Sequence, residues 1–215
     1  MKKTGKILLF SALGCVALGA VMMIGGAAMT GFDGGKLLSD NRKRKTTEIS
    51  QSFDKVTIST DIDNVELISA EGKTVLAEVF ESDRMYYDIS VKNNTLNIQF
   101  VKDKPWYSFI TDIASVSSVG HTVKVFLPVE LYKEVTVRTD IGSVTIPAEF
   151  QIEKLSIETD IGSVDVPKAR GANGITKIRT DIGDITLHVD GSEQNDNLLL
   201  DTDIGNIKIK KSGEK

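Results

Sequence analysis

The phrase TDIGSV stands at residues 139–144 and again at 159–164, TDIGDI at 180–185 and TDIGNI at 202–207. A variant, TDIDNV, stands at 60–65, and a more divergent one, TDIASV, at 111–116. With the Asp of each unit as position zero, Asp140, Asp160, Asp181 and Asp203 follow one another at 20, 21 and 22 residues. A period of this size, built from short strands, is the signature of a stacked solenoid. The 79 residues from Asp61 to Asp140 come close to four such periods.

Each column of the alignment has one character. Three before the Asp stand Ile58, Val137, Ile157, Ile178 and Leu200; five before stand Val56, Val135, Leu155, Thr176 and Leu198. Four after stand Val65, Val144, Val164, Ile185 and Ile207; six after stand Leu67, Ile146, Val166, Leu187 and Ile209. One after is always Ile: Ile62, Ile141, Ile161, Ile182 and Ile204. Every unit therefore reads as a strand, a bend at Asp-Ile-Gly and a second strand, with inward residues alternating along each strand. In this reading Ile at the bend fills the core. Gly permits the positive φ or close approach that the bend needs, and Asp63, the one departure, tolerates such geometry.

The outward column two before the Asp supports parallel stacking independently. It reads Arg138, Glu158, Arg179, Asp201, alternating in sign as sheet neighbours prefer. The Asp column is harder to place, because carboxylates 5 Å apart in water repel by roughly 0.8 kcal/mol. Two readings compete. Each Asp bonds the backbone amides of its own bend, as Asx turns do, or the row binds calcium, which needs six to eight oxygens. The absence of a nonapeptide repeat or a complete EF-hand loop favours the turn. No residue is assigned a catalytic, cofactor-binding or metal-binding role, and no cofactor is implied.

The remainder of the body, 49–133, reads as strands. FDKVTIST at 53–60 alternates apolar and polar. Tyr87, Ile89 and Val91 lead into Asn93-Asn94, and Leu96, Ile98 and Phe100 return, a tight hairpin. KPWYSF at 104–109 holds the single tryptophan and reads as a cap on the end of the core.

The leader differs in kind. Residues 1–6 form a basic n-region, and residues 7–29, ILLFSALGCVALGAVMMIGGAAM, run without a charge. That is long enough to cross a bilayer as a helix. A retained anchor is the expectation; a signal peptide cleaved near Gly26-Ala27-Ala28 is the alternative. Residues 30–48 read as a glycine-containing basic tether. Lys2, Lys3 and Lys6 favour a cytoplasmic N-terminus and an extracytoplasmic body, against the opposing run Arg42–Lys45.

Charge is split between the two parts. Residues 1–48 hold eight Lys/Arg and three Asp/Glu, whereas 49–215 hold 18 and 27. So acidic a body suits no nucleic acid, whose phosphates need Lys and Arg. The only cysteine is Cys15, which leaves no disulfide framework within the chain.

The span, the tether, FDKVTIST, YYDISVKNNTLNI at 86–98, KPWYSF and the TDIG ladder together resemble the LiaG-like adhesin family of Gram-positive envelope proteins. The resemblance covers residues 49–211. It implies a β-solenoid outside the membrane, in a domain of unknown function often linked to envelope-stress systems, and it brings no catalytic residues.

The expected fold is all-β: a parallel β-solenoid over 49–211, with a more irregular, hairpin-containing first part, preceded by one transmembrane helix. The expected location is the cell membrane, single-pass. The expected function is an extracytoplasmic binding or scaffold module that presents ladders such as Thr145, Asp165, Thr186 and Lys208 to cell-wall polymer or another envelope protein. A regulatory or sensory accessory of an envelope-stress response is the second reading. An enzyme is not expected. A sugar-cleaving β-helix would need acids clustered on one face with a base or metal, and His121 and His188 lie in separate strands.

Overall fold

Every described TDI unit sends one strand to each of two sheets. In chain order the strands are β1 (Lys43–Ile49), β2 (Lys55–Ser59), β3 (Asn64–Ala70), β4 (Val75–Glu81), β5 (Met85–Lys92), β6 (Thr95–Lys102), β7 (Thr122–Pro128), β8 (Leu131–Tyr132) and β9 (Glu134–Ile141). They continue as β10 (Val144–Thr145), β11 (Gln151–Ile152), β12 (Lys154–Ile161), β13 (Val164–Pro167), β14 (Ile175–Ile182), β15 (Ile185–Val189), β16 (Leu198–Ile204) and β17 (Ile207–Lys211). One sheet runs β1-β4-β7-β3-β10-β13-β15-β17, and the other β16-β14-β12-β9-β2-β6-β5. The short β8 and β11 pair with each other.

This computed structural model describes residues 42–82, 85–102, 121–169, 174–189 and 197–211, together with Gly19. All but Gly19 belong to a unit made of Asn41–Pro105 and Val119–Lys215. Apart from Gly19, the apolar segment 7–29, with its expected transmembrane helix, lies outside the described residues, as do KPWYSF and TDIASV. Among the described residues no helix is long and apolar enough to cross a membrane.

Successive units stack in parallel and in register. Val137, Ile157, Ile178 and Leu200 form one row across β9, β12, β14 and β16. Val144, Val164, Ile185 and Ile207 form its counterpart across β10, β13, β15 and β17. Period-two alternation aims both rows between the sheets, and their members are buried in every rung but the last. Each fully buried aliphatic side chain there is worth about 1.5–3 kcal/mol.

The order of rungs differs from the order of sequence. Val56 faces Val135, Ile58 faces Val137 and Val65 faces Val144. The units at Asp61 and Asp140 are thus adjacent rungs, not rungs four periods apart. The intervening chain turns away through β4 and β5, which run antiparallel to their partners. It returns as β6 beside β2 and β7 beside β3, both parallel, on the opposite side of the first unit. The hairpin between β5 and β6 is the expected one: Asn93 and Asn94 have φ of 52° and 59°, which a two-residue type I′ turn requires.

The expected tether, 30–48, is shorter than its composition suggests. β1 lies within its last residues and pairs antiparallel with β4 from Lys43↔Glu81 to Ile49↔Val75. Ile49 is buried, and Lys45 lies 2.8 Å from Glu81. Cations of the expected tether therefore close the edge of a sheet, a common protection against edge-to-edge pairing.

Candidate functional site

The TDIG corner is built by Thr and Gly. Thr159 Oγ1 donates to the Gly142 carbonyl at 3.1 Å, Thr180 to Gly162 at 3.0 Å and Thr202 to Gly183 at 3.0 Å. Each hydroxyl thus ties its own rung to the rung before. A Cβ at Gly162, Gly183 or Gly205 would stand 2.0–2.1 Å from the carbonyl oxygen of the preceding glycine. Close approach of backbones, more than turn geometry, demands glycine at this column.

Two sequence readings of the corner are corrected here. The isoleucine after each Asp does not fill the core: Ile141, Ile161 and Ile182 are 45–46% exposed and Ile204 is 65% exposed. Thr139, Thr159 and Thr180 are buried in their place. The last inward position belongs to a hydroxyl that can satisfy a carbonyl, and the isoleucine sits on the rim outside it. Nor do the aspartates bond the amides of their own bends. The first strand runs through the Asp, so its side chain projects outward; Asp181 meets Arg179 at 3.4 Å, and Lys102 pairs with Asp61.

From the Asp140 rung onward the rim therefore presents one carboxylate and one exposed isoleucine per rung, whereas Ile62 of the first unit is half-buried. Partial burial, followed by the charges of Asp61 and Asp160, raises the Asp140 carboxyl above the ordinary value, against the attraction of Arg138. Among the described residues no three His, Cys, Asp or Glu side chains gather as a metal ion would need.

Asp63 marks where the ladder departs from its rule. It stands in the glycine column, does not adopt a left-handed φ, and is 1% exposed. Arg42 donates to its Oδ1 at 2.8 Å and the His121 backbone N–H does so at 3.1 Å. The Tyr87 hydroxyl donates to Oδ2 at 2.6 Å. Thr60 lies 2.7 Å from the Tyr87 oxygen and, with that proton committed to Asp63, donates to it. Burial, then the Asp63 charge, pushes the Tyr87 hydroxyl far up, so it stays protonated as a donor. Position and composition gave no hint of Arg42 as the partner; the signal was Asp63 itself, a carboxylate where every other aligned unit has glycine.

The outward ladders form as expected. Thr145, Asp165, Thr186 and Lys208 fall into one row by register. Arg138 meets Glu158 at 3.0 Å, and Lys154 meets Glu134 at 2.6 Å. The histidines are not brought together. His121 stacks on Phe80, with ring centroids 4.1 Å apart, whereas His188 lies 2.6 Å from Asp165, on a strand separated from β7 by three others. Around neither one do the described residues assemble a nucleophile and an orienting acid.

Among solved structures, the chain is similar to a "putative cell adhesion protein" from Clostridium sporogenes, at 10% identity and a TM-score of 0.56. The match covers 80% of this chain and 100% of that one, and at this identity it speaks to fold alone. A "putative adhesin" from Bacteroides fragilis matches at 15% identity and a TM-score of 0.35, over 78% of this chain and 97% of that one. No curated protein matches. The model of the Toastrack DUF4097 family matches residues 53–214, and the chain belongs to that family.

Proposed function

We propose that the protein is a membrane-anchored, extracytoplasmic binding or scaffold module of the cell envelope, related within its family to the LiaG-like adhesins. The observation that carries this reading is the surface repetition. Outward side chains stand in register from rung to rung on both sheets, and one rim adds an aspartate and an exposed isoleucine in each of the four rungs from Asp140 to Asp203. A repeated surface suits a repeated polymer or an extended protein partner, because one contact recurs along the stack. The description of the Clostridium sporogenes neighbour as a cell adhesion protein supports the same reading. So does the uncharged segment 7–29 ahead of an acidic body. The regular spacing of the acids, one per rung, favours a structural and binding role over a catalytic one.

Two measurements test the proposal. Protease added to intact cells should reach Lys215; protection of the body would place it in the cytoplasm and end the envelope reading. The full chain should then bind a cell-wall preparation, and Ile161→Lys with Ile182→Lys should abolish binding without unfolding the body. Equal binding by the variant would remove the rim from the account.

A further inference from the structure

The last rung is built as an interior rung, yet nothing described covers it. β16 and β17 are the terminal strands of their two sheets, so each presents one row of backbone N–H and C=O groups that no described strand pairs. Their inward columns continue the core as far as Ile209, after which Lys211 stands in the column of the buried Val189. Leu198 and Leu200 are only partly buried, and Ile207 and Ile209 are each 44% exposed where their counterparts one rung earlier, Ile185 and Leu187, are fully buried. The opposite end is finished differently. There both edge strands, β1 and β5, run antiparallel to their neighbours, and β1 carries Lys43, Arg44 and Lys45.

The charges of the open rung are sorted by strand. On β16 the outward positions hold Leu199, Asp201 and Asp203; on β17 they hold Lys208 and Lys210. A two-fold axis along the strand direction, midway between the sheets, would lay β16 of one copy beside β17 of another, antiparallel. Asp203 would then face Lys208 and Asp201 face Lys210 on both outer faces; in that register Ile209 faces Thr202 and Lys211 faces Leu200, so the two cores join through Ile207, Ile209 and Leu200. A single added strand would cover only half of this rung, because both edges and both core columns are open at once. The same end of a second chain offers a matching pair of strands with the opposite charge at each. Head-to-tail stacking is opposed, because β17 would meet the lysines of β1. The geometry therefore closes at two copies.

We infer that the C-terminal rung is a docking surface for a second copy of this chain, joined end to end through β16 and β17. The test is sedimentation of the full chain in detergent, with three charge variants. The wild type should be dimeric at micromolar concentration. Asp201→Lys with Asp203→Lys makes both strands basic, and Lys208→Glu with Lys210→Glu makes both acidic; each pair should weaken self-association by about 100-fold. Mixing the two variants should restore a dimer, because every contact across the interface is then between opposite charges. All substituted positions are exposed, and circular dichroism checks each fold; should one pair unfold, the other still decides. A monomeric wild type, or a dimer indifferent to both pairs, as association through the apolar segment 7–29 would give, overturns the inference.

Discussion

The Cβ position of Gly162 lies 2.0 Å from the carbonyl oxygen of Gly142, so two rungs of the stack touch through backbone alone. Nothing at that contact can yield except the rungs themselves. Gly162→Ala is expected to destabilise the body by about 3 kcal/mol, the upper range for forced overpacking. Gly72→Ala faces open space and carries only the strain of a φ of 91°, so it should cost less. Urea denaturation of the two variants gives the comparison, and equal losses would contradict it.

Arg42 and Asp63 form a buried ion pair, each side chain 2% exposed. Removing one partner strands the other's charge. Asp63→Gly restores the repeat consensus, yet it should cost about 3–5 kcal/mol. Arg42→Met combined with Asp63→Asn should lose less than the two single changes added together. A double-mutant cycle from denaturation curves reads the coupling; additivity would mean that the pair is not the anchor of β1.

Thr180 is expected to accept Ser more readily than Val. Val keeps the shape and removes the donor to the Gly162 carbonyl, at a cost of about 1 kcal/mol. Ser keeps the donor and loses a methyl. Thermal denaturation should rank wild type first, Ser next and Val last.

Asp140 gives the body a pH dependence with a definite sign. Its carboxyl is raised in the folded state, so folding disfavours the ionised form. That penalty is present in full at neutral pH and disappears as pH falls through the folded value. Asp140→Asn should therefore raise the melting temperature at pH 7 and lose its advantage near pH 3. An equal gain at both pH values would point to packing instead of charge.

Ile182→Lys should change stability by less than about 0.5 kcal/mol, as exposed substitutions usually do. Ile178→Lys, four residues earlier in the same strand and fully buried, should prevent folding. Circular dichroism of the pair distinguishes rim from core.

Much of the fold was legible because the chain repeats itself. The spacing of Asp140, Asp160, Asp181 and Asp203 gave the period, the apolar columns gave the inward faces, and Asn93-Asn94 gave the hairpin. The sign alternation at Arg138 and Glu158 foretold a contact that forms. The candidate surface was half legible: Thr145, Asp165, Thr186 and Lys208 were placed correctly, whereas the isoleucines of the rim were assigned to the core.

By itself, then, the amino-acid sequence determined the strand, corner and strand of each unit, because side chains alternate along a strand whatever lies beside it. Only the tertiary structure decided which way the corner faces, because the Asp-Ile-Gly kink resets the alternation and the carbonyl of the neighbouring rung draws in threonine. It also decided which rungs are neighbours. Strand pairing depends on matching edges and buried columns, not on chain distance, so Asp61 and Asp140 meet across 79 residues and Arg42, within what read as a linker, closes on Asp63.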